Sequence, residues 1–439
     1  MTSSYPLGSF NAHWFNFFNA LSFQIMMGAP ILLYAKTLGA SSTVLGIIAS
    51  FAPLMTVFQL PAVRFLDRFG YRTFMLTGWG LRTVMIFILA GVPLMAFLDA
   101  PSKMAVMLAL LFVFNLLRGI SSAAWMPWIT SLIPEAGRGK FLSLDQIFMY
   151  CGCLASLAAS AVVMSGDIDD WEYSLVFLIS ALGGAIGLHF IKKIPDVEPR
   201  DIQKGGAPVP WRAMMAYGPF RRLLAFNLIF MTVIGSLGVF TIEFLKETVG
   251  LSPAVILVLS GCSFVGAILA MPFCGAVIDR TGSKPLMRTA MIAFSLVLVG
   301  WFAMASEVVT ASVLAILLLN LFAGVASAIY NLANVRIVMA TMPEMGRNHF
   351  FALFTVITSL GLGATPVVWG VTLDVIGTFE ATTGVFVWRQ HSIYFFALFL
   401  VCLVSIFAVS LLLEAPISKK QEASVVYGKL KRSSRMWLR

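Results

Sequence analysis

The stretch Asp67-Arg68-Phe69-Gly70-Tyr71-Arg72 returns 212 residues later as Asp279-Arg280-Thr281-Gly282-Ser283-Lys284. A second pair keeps nearly the same offset, since Pro134-Glu135-Ala136-Gly137-Arg138 is echoed 209 residues later by Pro343-Glu344-Met345-Gly346-Arg347. Each copy is a short charged loop between long apolar runs. Two loops repeated in the same order at about half the length of a 439-residue chain describe an internal duplication.

The runs outside these loops fix the solvent. With 59% hydrophobic and 11% charged residues and a mean hydropathy of +0.91, the chain lacks the polar groups needed to coat a soluble globule. About 20 apolar residues cross roughly 30 Å of hydrocarbon. Twelve runs meet that length, at about 12–35, 42–63, 73–98, 104–131, 141–165 and 173–191, then 221–245, 252–278, 285–305, 311–341, 349–373 and 392–413. They are expected to be helices, because only helices and closed barrels satisfy backbone polar groups in lipid. The fold class is an all-α polytopic membrane protein with twelve transmembrane helices in two pseudo-symmetric six-helix bundles. The expected divisions are 1–192 for the first bundle, 193–220 for a Pro- and Gly-bearing linker, 221–414 for the second bundle and 415–439 for a basic tail. Trp211 to Tyr217, at the end of the linker, has the composition of a short helix lying on the membrane face.

Lys and Arg set the orientation. Placing both termini in the cytoplasm puts about 23 of the 30 basic residues on that side and leaves Lys36, Lys103, Lys246 and Arg389 outside. The net charge of +10 is then explained by topology and by anionic lipid headgroups, with no nucleic-acid partner required. The first run is too long for a signal-peptide core and is expected to be retained. No Asn begins a glycosylation sequon, consistent with a bacterial inner membrane. The five cysteines, Cys151, Cys153, Cys262, Cys274 and Cys402, all fall in apolar runs. They suggest neither a disulfide framework nor a zinc site, and the four histidines are scattered, so no metal or cofactor is expected.

The repeated loop resembles the signature of the major facilitator superfamily, a glycine, three residues, then Asp-Arg/Lys-x-Gly-x-Arg/Lys between the second and third spans of each half. Gly275, Asp279, Arg280, Gly282 and Lys284 fit it; Asp67, Arg68, Gly70 and Arg72 fit with Val63 in place of the first glycine. The resemblance implies a secondary transporter working by alternating access, with the loop acting as a conformational latch and hinge. It assigns these residues to gating, and it makes spans one, four, seven and ten the walls of a central cavity.

Ionisable side chains inside a bilayer cost roughly 2.5 to 3.5 kcal/mol each on insertion scales, so each marks a candidate function. Arg118 lies about 20 Å from the cytoplasmic end of span four, near the midplane, where snorkelling is hardest. Asn115, Arg118, Ser122 and Trp125 share one face of that helix. In span ten Asn320, Gly324, Ser327, Asn331 and Asn334 form a polar stripe, which either lines a cavity or joins helices. Asn16 and Asn19 in span one, with Gln24, add uncharged hydrogen-bonding groups. Arg336 is expected to join the gating network through a loop carboxylate, Arg82 and Asp145 to pair with each other, and Glu243 either to carry a coupling proton or to pair with Lys246 at the outer surface.

One central positive charge without a central carboxylate favours a small polar, anionic organic solute, carried by a monomer through secondary active or facilitative transport. At the 209-residue offset Arg118 has Ser327 as its counterpart, and this broken symmetry is the clue to substrate. A proton-coupled multidrug exporter is the alternative within the class. The partial antiporter-like segment Arg118-Gly119-Ile120-Ser121-Ser122 has Ser122 at its later glycine, and span five lacks a Gly-Pro element. A transporter-shaped receptor or scaffold is the alternative of another class. No paired carboxylates or activated nucleophile suggest an enzyme.

Overall fold

A computed structural model describes Pro6 and residues 8–197, 211–342 and 347–412. The side chains of 135–140, 213, 275, 276, 279, 280, 347 and 348 fall outside the description. Most of the linker and the basic tail lie outside the described residues, as do the side chains of Asp279 and Arg280.

Among the described residues, twelve helical spans are long and apolar enough to cross a bilayer: Asn11–Thr37, Ser42–Phe69, Tyr71–Gly91, Ala100–Leu132, Phe141–Val163 and Asp170–Lys193, then Gly218–Thr248, Pro253–Cys274, Ser283–Ala305, Val313–Thr341, His349–Ile376 and Gln390–Leu411. Their outward faces carry large exposed apolar side chains; Val375 is 80% exposed and Phe273 73%. A surface of this kind is stable only against lipid. A short helix, Trp211–Ala216, precedes span seven, in the place expected for it.

The two halves repeat the same packing. In the first, span one packs on five and six, three on four and six, and two on four; in the second, seven packs on eleven and twelve, nine on ten and twelve, and eight on ten. The halves meet along two seams related by the same symmetry, span two against eleven and span five against eight. The first seam is tight because glycine permits it. A Cβ on Gly46 would stand 2.2 Å from the Pro366 carbonyl oxygen, and one on Gly370 would stand 2.4 Å from that of Ser42.

Several helices are interrupted, each for a local reason. Span one breaks at Gly28, whose extended backbone (φ −101°, ψ −155°) is followed by Pro30 in the first turn of the next segment. Span two runs regularly to Met55, contains Pro53, and continues through a tighter turn at Thr56–Phe58. Span three is shorter than its apolar run, ending at Gly91 just before Val92 and Pro93. Between spans eleven and twelve an antiparallel hairpin, Ala381–Thr383 with Phe386–Trp388, was not foreseen from the sequence.

Candidate functional site: a cavity between the halves

A cavity of about 580 Å³ lies between the two bundles, within the range of small-molecule sites. Its wall draws on both halves: Phe23, Gln24, Met27 and Gly28 of span one, Ala49, Ala52 and Pro53 of span two, Gly235, Gly238 and Thr241 of span seven, Ser260, Ser263 and Phe264 of span eight, Phe294 and Trp301 of span nine, and Asn320 and Ser327 of span ten. The breaks at Gly28 and beyond Pro53 therefore fall where irregular backbone faces a cavity rather than lipid. No ionisable side chain is among the lining residues. Hydrogen-bonding capacity comes from Gln24, Thr241, Ser260, Ser263, Asn320 and Ser327. Asn320 spends one amide proton on the Ile316 carbonyl (3.1 Å), and the Ser260 and Ser263 hydroxyls donate to backbone oxygens at 2.8 Å, which leaves their lone pairs to accept.

Arg118 stands one layer behind this wall. Its Nη2 donates to the Ala52 carbonyl at 3.0 Å, its guanidinium carbon lies 4.8 Å from the centre of the Phe23 ring, and Nε has no hydrogen-bond partner among the described residues. Both of those contacts are cavity residues. Deeper in the first half, Arg82 is fully buried between the Trp79 and Phe114 rings (4.9 and 5.0 Å) and donates from Nη2 to Asn19 Oδ1 at 2.8 Å. Neither guanidinium has a carboxylate partner among the described residues.

Of the other candidates, Asn320 and Ser327 reach the cavity wall, while several have polar atoms engaged elsewhere. Asn115 donates to Leu111 O (2.9 Å) and Met27 Sδ (3.1 Å). Ser122 Oγ accepts from Gln59 Nε2 at 2.6 Å, and Trp125 packs on Phe15 with ring centroids 4.9 Å apart. Asn334 donates to Asn227 Oδ1 (2.9 Å), which also accepts from the Tyr330 hydroxyl (3.0 Å), so this end of the span ten stripe joins helices. Asn331 is exposed. Asn16 donates to Asp145 Oδ2 at 2.8 Å, and Asn19 Oδ1 also accepts from Trp79 Nε1 at 3.1 Å.

Two expected ion pairs are replaced by others. Arg82 and Asp145 do not pair, because Asp145 is held by Asn16 and by His13 Nδ1 at 3.0 Å, while Arg82 turns to Asn19. Glu243 pairs with Lys36 rather than with its own helical neighbour Lys246. Lys36 Nζ donates to Glu243 Oε1 at 3.0 Å and to Glu247 Oε1 at 2.5 Å, and Ser42 Oγ donates to Glu243 Oε1 at 2.7 Å. Glu243 is 1% exposed, so the pair is buried and not on the surface. It also crosses between the halves, as does Asp374, whose two carboxylate oxygens accept from the backbone N–H groups of Ser42 (3.0 Å) and Thr43 (2.9 Å). A carboxylate from span eleven thus completes the N-terminus of span two, where free amides and the helix dipole favour negative charge. These contacts form a clasp at one end of the molecule.

The repeated loops lie at the opposite end. Gly70 (φ 71°) and Gly282 (φ 85°) each begin the following span in a backbone region that other residues seldom adopt. Asp67 and Arg68 are exposed. Arg72 Nη2 donates to the Ile194 carbonyl at 2.7 Å, and Lys284 Nζ donates to those of Leu412 (2.7 Å) and Ser410 (3.2 Å). Each of these basic residues therefore satisfies the carbonyl end of the last helix in its own half, a role invisible in the sequence. Arg336 Nη1 donates to the Ile278 carbonyl at 2.6 Å, beside the second loop.

Two duplicated six-helix bundles around a shared cavity, with the repeated loops at one end, define a membrane transporter and not an enzyme. The sequence matches the family model of the Major Facilitator Superfamily twice, over residues 13–244 and 223–438, and the chain belongs to that family. Its fold is similar to that of a mutant of the nucleoside transporter NupG (13% identity, TM-score 0.71, covering 93% of this chain and 100% of that one). It is similar to a D-xylose–proton symporter (13%, 0.69, 93% and 97%) and to a POT-family transporter in complex with a thioalcohol-conjugated peptide (12%, 0.68, 92% and 95%). A search of curated protein sequences gives no match.

Proposed function

We propose that this protein carries a small polar, anionic organic solute across the membrane by alternating access of its two halves, as a monomer. Both termini then lie in the cytoplasm of a bacterial inner membrane, with the basic loop face against anionic headgroups and the clasp facing outward. The observation that supports an anion is the pair of guanidiniums, the fully buried Arg82 and the half-buried Arg118, without a carboxylate partner among the described residues. Buried cations without a counter-ion are costly, and an anion in the cavity, one ring away from Arg118, offsets that cost. Gln24, Asn320 and the serines of span eight orient the solute through uncharged hydrogen bonds.

A second reading is a neutral ring-bearing solute such as a sugar or nucleoside. It is favoured by the uncharged wall and its four aromatic side chains, Phe23, Phe264, Phe294 and Trp301. The two readings separate in proteoliposomes loaded with a panel of sugars, nucleosides and organic anions. The anionic reading expects uptake of an anion that Arg118→Gln lowers at least tenfold. Uptake confined to neutral solutes and indifferent to Arg118→Gln supports the second reading instead.

A further inference from the structure

The clasp holds an unbalanced charge. Glu243 Oε1 is satisfied by Lys36 and Ser42, but among the described residues Oε2, which is buried, has no donor, and His391 Nε2, buried 4.0 Å away, has no hydrogen-bond partner either. His391 is 3% exposed, and its other nitrogen, Nδ1, lies 3.3 Å from Thr248 Oγ1. The charged groups paired at this point are Lys36 from span one and Glu243 and Glu247 from span seven; Lys246, also on span seven, forms no ion pair with either carboxylate among the described residues. Two carboxylates, one ammonium and a neutral imidazole leave one negative charge over. The neighbouring titratable groups are committed elsewhere: Tyr394 donates to Ser236 Oγ at 2.9 Å, Asp374 accepts from span two, and Arg389 pairs with Glu307 and with Glu380.

We propose that Glu243 and His391 form a proton-binding site, and that the proton it takes up from the aqueous phase at this end releases the clasp. A proton on Glu243 Oε2 cancels the residual charge and turns that orphaned acceptor into a donor; with the imidazole proton on Nδ1 toward Thr248, closing the 4.0 Å gap to Nε2 then satisfies both atoms. Once Glu243 is neutral, Ser42 keeps only an uncharged hydrogen bond, and Lys36 keeps Glu247, whose carboxylate is 43% exposed and screened by water. The attraction between spans one and seven falls, and the halves separate at this end. The solute cycle is thereby coupled to a proton through a gate residue outside the solute cavity, since Glu243 and His391 do not line it.

The proposal does not depend on the identity of the solute, and its test uses none. Spin labels at Ala100→Cys and Thr382→Cys, exposed positions in opposite halves near the clasp, in a cysteine-depleted full-length protein in nanodiscs, report the distance across this end by pulsed electron resonance. Lowering the pH from about 8 to about 5 is expected to shift the population from short to long distances. Glu243→Gln is expected to hold the long distance at both pH values, Glu247→Gln to keep the pH response, and His391→Gln to displace its midpoint. Because each variant is read by distance after size exclusion, a misfolded Glu243→Gln protein is recognised and His391→Gln then decides. Distances independent of pH in the parent, or a midpoint that neither Glu243→Gln nor His391→Gln alters, would overturn the proposal.

Discussion

At one end of the cavity the two halves are joined by Lys36, Ser42, Thr43, Glu243 and Asp374; at the other, Asp67 and Arg68 are exposed while Arg72 and Lys284 turn back onto their own halves. The duplicated residues hold each half together, and the unduplicated ones hold the halves to each other. At the loop offset of 212 residues, Lys36 corresponds to Thr248 and Glu243 to Ile31, so neither member of the buried pair has a charged counterpart. Symmetry therefore builds the bundles, and its violation builds the clasp that joins them at one end.

This contrast can be broken from either end. The largest effect is expected for Lys36→Met, which leaves Glu243 charged and buried without its partner and disfavours the clasped form by about 3–5 kcal/mol. A cysteine at Ala49, on the cavity wall, should then react far faster with a membrane-impermeant thiol reagent added at the clasp end. Next comes Gly46→Val. With a Cβ 2.2 Å from the Pro366 carbonyl, it should cost the closed seam about 1–3 kcal/mol and raise the same labelling rate. Gly70→Ala sharpens the contrast. Nothing lies within 4 Å of the added Cβ, so the cost of about 1–3 kcal/mol is backbone strain alone, read as a lower Tm with unchanged Ala49→Cys labelling.

The smallest effect concerns the hairpin beside the clasp. Arg389 holds the Glu380 carboxyl below the usual carboxylate range, through a hydrogen bond and its charge. A carboxylate with a lowered folded pKa contributes stability that is present above its unfolded pKa and is lost only as the pH falls through the lowered value. Arg389→Gln should therefore speed amide exchange across 381–388 above that range and change it little at lower pH, with no change in labelling at Ala49→Cys.

The duplication, the twelve spans and the glycine turns of the repeated loops were legible because each rests on local chemistry, apolar run length or a glycine at a turn. The hairpin was not, since Ala381 to Trp388 is too short to show a strand period. Site assignments failed differently. A helical wheel shows that Asn115, Arg118 and Ser122 share a face but not which neighbour fills it; Asn115 meets Met27, and Arg118 meets Phe23 and Ala52. The Ser260 and Ser263 pair, three residues apart in span eight, was a readable signal that the weight given to charged residues obscured. Lys36 and Asp374 could not be assigned from sequence, because their partners lie more than 200 residues away and no repeat relates them.

In the mechanism proposed above, the clasp must part for solute to pass. The most direct test joins Lys36→Cys to Glu247→Cys, replacing two side chains that meet at 2.5 Å, with a short bifunctional methanethiosulfonate in an otherwise cysteine-free protein reconstituted in liposomes. Relative to the same double variant before cross-linking, uptake is expected to stop and to return when a reductant cleaves the bridge. Undiminished uptake with the cross-link verified by mass spectrometry would contradict it.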